Sequence, residues 1–354
     1  MEESLGSMID ELQTSQPSPA LLSQDFRERY DAFVDASPQY SLYCHTWWLD
    51  AVAPGRYDIL TVESGGGIKA AWPIVWAEEG YRRRAVMPEL THKLGILLAP
   101  FHGKYVEELS RDHEVIDALL DQLPPGMTFI QRFHESFTNW LPFGWKDYRP
   151  ATGCTYVFED LSNVDAVWDG MRRGARTEIR KAEKRGLRIR DSDDVERFYA
   201  MVAEIYRRQG KKTPYSFSYL ARIDEACRKN AGRKILIAEQ ADGTPCAGRF
   251  MAYDQRAAFL LCGGILDVMR GSGANSLVDW EMIKFAATVS KRFDFTGSSS
   301  PKIEPYLRTF GARRMSYFVI SGQVKVDSRW FRARRFAARV LRKLARMADG
   351  SLPP

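Results

Sequence analysis

The order of elements in the second half of the chain narrows the possible folds most. From about residue 195, VERFYAMVAEIYRRQ and SYLARIDEACRKN carry apolar residues at helical spacing. Three strand-like runs follow with no helix between them: KILIAEQ, PCAGRFMAYD and AAFLLCGGIL. Next come a helix (ANSLVDWEMIKFAATVS), a strand (FDFTGS), a short helix (IEPYLRTFG) and a strand (MSYFVI). Two helices, a meander of three strands, one helix and further strands predict an α/β fold of the mixed-sheet, α+β kind.

The first half alternates in the same way. Residues 1–21 are polar, with Ser and Pro toward their end, and are expected to be disordered. FRERYDAFVDA reads as a helix, and YDILTVES and IKAAWPIVWAEEG as strands joined through the Gly-rich SGGG. HEVIDALLDQL is a helix that PPG stops, and MTFIQRF and ATGCTYVFEDL are strands. A long helix is then expected, with Ser162 and Asp165 as its capping box. Trp168, Met171, Ala175, Ile179 and Ala182 share one face of it, and Arg172, Arg176, Arg180 and Lys184 form a ladder on another. Gly186 ends it. The segment GARTEIRKAEKRGLRIR, residues 174–190, sets seven basic side chains against two glutamates. Such a ridge calls for a nucleic acid, a membrane or a phosphorylated small molecule. The alternative is a solvated face whose repulsion Glu178 and Glu183 relieve.

Composition decides among these partners. The 51 Lys and Arg against 45 Asp and Glu give +6, but eight basic residues and one acidic residue lie from Arg329 onward. The remainder, 51 − 8 = 43 against 45 − 1 = 44, is net −1. That balance argues against a general nucleic-acid binder, and no DNA partner is expected. The longest apolar runs resemble AAWPIVWA, far short of the roughly 20 residues that span a bilayer. The acidic opening MEESLGSMIDELQ lacks an apolar h-region. Five scattered cysteines with no C-x-x-C pair fit a reducing compartment, so the cytoplasm is expected and no metal site. Residues 328–354 read as a basic amphipathic helix. Phe336, Val340, Leu344 and Met347 oppose Arg332, Arg335, Arg339, Arg342, Lys343 and Arg346. Its expected role is peripheral contact with the inner face of the membrane, the alternatives being docking on the protein itself or a tRNA arm.

The segment LLCGGILDVMRGSGANSLVDWEMI points to chemistry. A strand ends at Gly263-Gly264, a loop carries Arg270, Gly271 and Gly273, and a helix opens near Ala274. Amides of a Gly-rich loop at a helix N-terminus can hold a pyrophosphate, although a plain turn also needs glycine. Strand order and loop together resemble the GNAT acyltransferase fold, whose acyl-CoA loop reads Q/R-x-x-G-x-G/A. Arg270 and Gly273 match its first two fixed positions, and Asn275 stands at the third. The resemblance implies an acyl-CoA donor held by Gly264, Arg270, Gly271, Gly273 and Asn275.

A wider resemblance is carried by HTWWLDAV, PELTHKLGILLAPF, RTEIRKAEKRGL, GANSLVDWEMIKFA and RFDFTGSSSPKIEPYLRTFGA. Together these runs resemble the FemAB-like superfamily of two GNAT-type domains in tandem. The resemblance implies domains at 22–160 and 161–327. The superfamily includes tRNA-dependent peptidoglycan aminoacyltransferases and GNAT proteins of polysaccharide and envelope loci, and this chain is more similar to the latter. Arg176 and Arg180 would then face an anionic substrate. Near Arg308 the Fem-type enzymes have a basic residue that could stabilise an oxyanion. Tyr306 could protonate the leaving group, with Glu304 beside it. The alternatives are sheet packing for Tyr306 and a helix cap for Glu304. His45, Trp48, Thr91 and His92 would line the acceptor side. Cys262, inside an apolar run, reads as core. No Ser-His-Asp grouping, G-x-S-x-G elbow, H-E-x-x-H or Walker loop is present.

The expected activity is transfer of an acyl group from acyl-CoA to an amine or hydroxyl of an envelope or polysaccharide precursor. The alternatives are a tRNA-dependent aminoacyltransferase and a catalytically inactive double-GNAT binding protein.

Overall fold

The computed structural model describes residues 13–15, 22–77, 84–266, 269–297 and 299–325. The expected basic tail at 328–354 lies outside the described residues, as does the expected disordered stretch 1–21 apart from 13–15. Those three residues form a short strand that pairs with the edge of the sheet through backbone bonds.

The first half runs β1 (Gln13–Ser15), α1 (Gln24–Ala36), α2 (Thr46–Val52), β2 (Tyr57–Ser64), β3 (Gly67–Ala77), β4 (Arg84–Val86), β5 (Leu97–Leu98), α3 (Tyr105–Asp121), β6 (Thr128–Arg132), α4 (Leu141–Trp145) and β7 (Arg149–Phe158). The second runs α5 (Val164–Gly170), α6 (Arg173–Lys184), β8 (Arg188–Asp191), α7 (Val195–Arg208), α8 (Phe217–Asn230), β9 (Gly232–Glu239), β10 (Pro245–Tyr253), β11 (Ala257–Ile265), α9 (Ala274–Val289), β12 (Arg292–Asp294), α10 (Glu304–Leu307) and β13 (Arg313–Gln323).

Local chemistry explains several boundaries. Gly65 and Gly66, at φ +58° and +75°, supply the tight turn between β2 and β3 that the SGGG text calls for. Ser23, Asp194 and Ser216 each accept the amide three residues on and so cap α1, α7 and α8. The long helix expected from Ser162 is two helices. Asn163, not Ser162, caps the first by accepting from the Ala166 amide at 2.9 Å. The chain then leaves helical geometry at Met171, and the Arg172 amide bonds the Thr309 carbonyl at 2.8 Å. That tertiary bond turns α6 away from the line of α5.

All the strands join one mixed sheet, in the order β1-β2-β3-β4-β6-β13-β7-β12-β11-β10-β9-β8, with β5 on β3. The pairs β4–β6 and β11–β12 are parallel and the others antiparallel. Two strands change sides. β13, the last described strand, lies between β6 and β7 of the first half. β7 in turn lies between β13 and β12. One hydrophobic core also spans the halves, packing Tyr30, Tyr43 and Trp48 with Phe198, Phe250 and Phe259.

Candidate functional site

The second half of the sheet opens at one place. β12 pairs with β11 only from Ala257↔Arg292 to Phe259↔Asp294, whereas β11 runs on to Ile265. Past Phe259 its edge on that side is free of β12. The register with β10 also shifts here. Met251 faces Leu260 and Phe250 faces Cys262, so Leu261 is an extra residue, a bulge. A bulge bends its strand and releases backbone groups from the ladder, and bulges recur beside active sites.

Beyond β11 the chain passes through Met269–Ser272 and enters α9. Gly273, its N-cap, has φ +86°, and Gly271 has φ +77°. Gly273 also has no room for a side chain, because a Cβ would lie 2.2 Å from the Glu178 carbonyl oxygen of α6. The basic helix therefore packs directly on the N-terminus of α9. One residue beyond α6, Arg185 donates to the Gly271 carbonyl at 2.8 Å. Arg176 and Arg180 turn elsewhere. Arg176 lies 3.4 Å from Asp169, and the Arg180 guanidinium sits 5.4 Å from the centroid of the Trp168 ring. Among the described residues Arg172, Arg173, Lys184 and Arg185 form no ion pair, so this end of the helix keeps a positive surface beside the loop.

Beneath the loop lies a buried polar network that sequence reasoning missed. Arg249 of β10 donates to both carboxylate oxygens of Asp279, at 2.5 and 2.9 Å, and to Asn275 Oδ1 at 2.8 Å. Tyr306 donates to Asp279 Oδ2 at 2.6 Å. Asp279 is 1% exposed and Arg249 7%. Burial, then Asp279, hold the Tyr306 phenol well above its ordinary value, so it keeps its proton and gives that hydrogen bond to Asp279. The Asn275 side chain points down to Arg249. The network thus ties the first two turns of α9 to β10 and α10.

The other predicted residues are dispersed. Glu304 accepts from the Tyr156 hydroxyl and lies 3.8 Å from the exposed Arg308. Gly264 packs under Ile205. Trp48 is fully buried and its indole donates to Thr91 Oγ1 at 3.0 Å, so these two satisfy each other in the core. His45 stands between Asp31 and Asp35, 3.5 Å from each, at the start of α2. Burial raises the Cys262 thiol to about 12, so it is not a thiolate at neutral pH.

His92 alone of the acceptor-side candidates reaches the opening. It lies on the chain between β4 and β5, close to the Leu261 backbone at the bulge. Beside it, Lys93 bridges Glu135 at 2.6 Å and Asp294 at 2.7 Å. Arg292 pairs with Glu135 as well, and Asp294 also accepts from the Thr296 amide at 2.7 Å and from Thr155. This cluster draws its charges from both halves and sits at the seam, where β12 ends.

A cleft of about 640 Å³ between the β3–β5 region and α3, lined by Lys69, Phe101, Arg111 and Glu114 among others, shares no residue with this site. Among the described residues no group of three or more His, Cys, Asp or Glu is placed to hold a metal ion, and no helix is long and apolar enough to cross a membrane.

Comparison with known proteins bears on this geometry. Residues 170–306 match the family model described as acetyltransferase (GNAT) domain. Among solved structures, FemX superposes with a TM-score of 0.62 at 13% identity, over 86% of this chain and 96% of that one. A tandem GNAT protein from the clavulanic acid biosynthesis pathway gives 0.54 at 11%, over 90% and 100%. A conserved protein of unknown function from Bacteroides thetaiotaomicron VPI-5482 gives 0.52 at 10%, over 88% and 100%. No curated protein sequence matches the chain.

Proposed function

We propose that this chain is an acyltransferase of the FemAB-like GNAT kind and that it takes an acyl group from acyl-CoA. The acceptor would be an amine or hydroxyl of an envelope or polysaccharide precursor. One observation carries the reading. The parting of β11 from β12 leads directly to a Gly-rich turn at the N-terminus of a 16-residue helix. A thioester arm laid along the free edge of β11 would bring its phosphates to amides that have no helical partner. Arg270 and Arg185 supply the charge around that turn, and the Arg249–Asp279–Asn275 network keeps it rigid. The bulge at Leu261 offers freed backbone groups for the acyl carbonyl.

In this reading Tyr306, whose hydroxyl donates to Asp279, holds the start of α9 in place and is not the acid for the leaving thiolate. Arg308 is left for the route of an anionic acceptor, while Arg176 and Arg180, turned to Asp169 and Trp168, are not assigned to it. Trp48 and Thr91 are left out, being spent on each other. The domain division at 160/161 is kept for sequence units alone, since β7 and β13 are exchanged across it.

The test is a thermal-stabilisation screen of the full chain with CoA, acetyl-CoA, nucleotide sugars and aminoacyl-tRNA. A ligand at 100 times its dissociation constant adds about 2.7 kcal/mol. Stabilisation by acetyl-CoA supports the reading, and stabilisation by aminoacyl-tRNA alone replaces it. The unpaired Arg172, Arg173 and Lys184 favour that second reading, a tRNA-dependent transfer, because a polyanion would neutralise them. We also assign residues 328–354 to attachment at an anionic membrane surface. A chain ending at Ser328 should lose sedimentation with anionic liposomes that the full chain shows at low salt, and equal sedimentation removes the tail from this role.

A further inference from the structure

Two buried polar atoms near the bulge have no hydrogen-bond partner, His92 Nε2 and the Tyr43 hydroxyl. Buried polar groups are almost always paired, so two orphans together mark a place where another molecule supplies the partner. Their rings are 6.0 Å apart, and the Tyr43 ring packs 5.1 Å from that of Phe259. Phe259 is the last residue of β11 that pairs with β12, and the Leu261 backbone lies against His92. Both orphans therefore stand where the two strands part, on the side supplied by the first half of the chain.

We infer that His92 is the proton acceptor for the incoming nucleophile, an assignment that rests on the acyl-CoA reading. The acceptor nitrogen or oxygen bonds to the thioester carbonyl carbon. Its proton passes to the bare Nε2, the C–S bond breaks, and the imidazolium returns the proton to the departing sulfur. The products are the acylated acceptor and free CoA thiol, with no net proton change. The charged groups around the ring are Arg132 from β6, Asp294 from β12 and Lys93 next in the chain. Burial, then Arg132, hold His92 at about 4, so its lone pair is available at neutral pH. A base this weak acts late, on the N–H or O–H of the tetrahedral adduct, whose proton is more acidic than that of the free acceptor.

The test follows CoA thiol release from acetyl-CoA with hydroxylamine as acceptor, corrected for the uncatalysed reaction. His92→Ala and His92→Gln should each lower the rate about 100-fold or more while acetyl-CoA stabilises them as it does the wild type. Added imidazole should restore His92→Ala and not His92→Gln. A second donor, the acetyl thioester of N-acetylcysteamine, lacks the phosphates. If acetyl-CoA fails to stabilise the wild type, the donor reading falls, and the same loss of rate with the short thioester still supports His92. Rates within about threefold of wild type, or rate and donor binding lost together, overturn the assignment.

Discussion

Lys93→Met tests whether the seam between the halves depends on one buried charge cluster. Met preserves much of the side-chain volume, so the change removes mainly the ammonium group. Lys93 is 2% exposed and Asp294 0%, and the two lie 2.7 Å apart. Breaking a buried ion pair from one side costs about 3–5 kcal/mol, because the remaining charge is left uncompensated. Asp294 keeps its bonds from Thr155 and Thr296, and Arg292 still serves Glu135. The expected loss therefore falls within that range rather than above it.

The pH dependence gives the sharper criterion. In the wild type burial is the largest single influence and would raise the Asp294 pKa, but the charge and hydrogen bond of Lys93 together with Arg292 make the net shift downward. Its stabilisation is then complete above the unfolded value, about 3.9, and is lost as pH falls through the lower folded value. Without Lys93 burial prevails, and the folded pKa rises above the unfolded one. Stability is then greatest below about pH 3.9 and falls by up to about 1.4 kcal/mol per pH unit until the raised pKa is passed. The deficit of the variant should accordingly be smaller near pH 4.5 than near pH 8, measured by urea unfolding with tryptophan fluorescence at about those two values. Adding Asp294→Asn should restore part of the loss at about pH 8. A deficit below about 1 kcal/mol, or one equal at both pH values, would refute the argument.

Two further outcomes probe the proposed donor loop. Arg185→Gln should weaken acetyl-CoA binding about tenfold, read as a smaller ligand-induced rise in melting temperature, while unliganded stability changes by less than about 0.5 kcal/mol. Gly273→Ala should instead destabilise the folded chain by about 1–3 kcal/mol, since a non-glycine residue is strained at φ +86° and its Cβ would meet the Glu178 carbonyl; unchanged urea unfolding would contradict the close packing of α6 on α9.

What was legible in the sequence was local. The SGGG hairpin, the meander β9–β10–β11 and the glycine turn into α9 are signals written within a few residues, and each produced the element expected. The exchange of β7 and β13 was not legible, because strand partners far apart in the chain leave no periodic trace. The break between α5 and α6 was hidden for the same reason, being made by a bond to Thr309. The buried networks did leave a trace in the sequence. Arg249 stands within PCAGRFMAYD, Asp279 within ANSLVDWEMI, Lys93 within THKLGILL and Asp294 within RFDFTG. A lone charge inside an apolar run needs a buried counter-ion, and two of opposite sign form a candidate pair. Only the fold decides which charges meet.

That pairing has a consequence for how the site is assembled. Arg249 and Asp279 both belong to the second half and brace the Gly-rich loop from below. Lys93 and Glu135 come from the first half, and Asp294 ends the strand that parts from β11. The seam cluster therefore fixes the first half's loop, with His92 on it, relative to the edge of β11. Strand exchange reinforces this, since β7 lies between β12 and β13 and carries Thr155 to Asp294. A second half expressed alone would lack β7, the partner of Asp294 and the imidazole at the opening. The segment 170–306 that matches the GNAT model holds the loop and the helix, whereas His92 and Lys93 come from the first half.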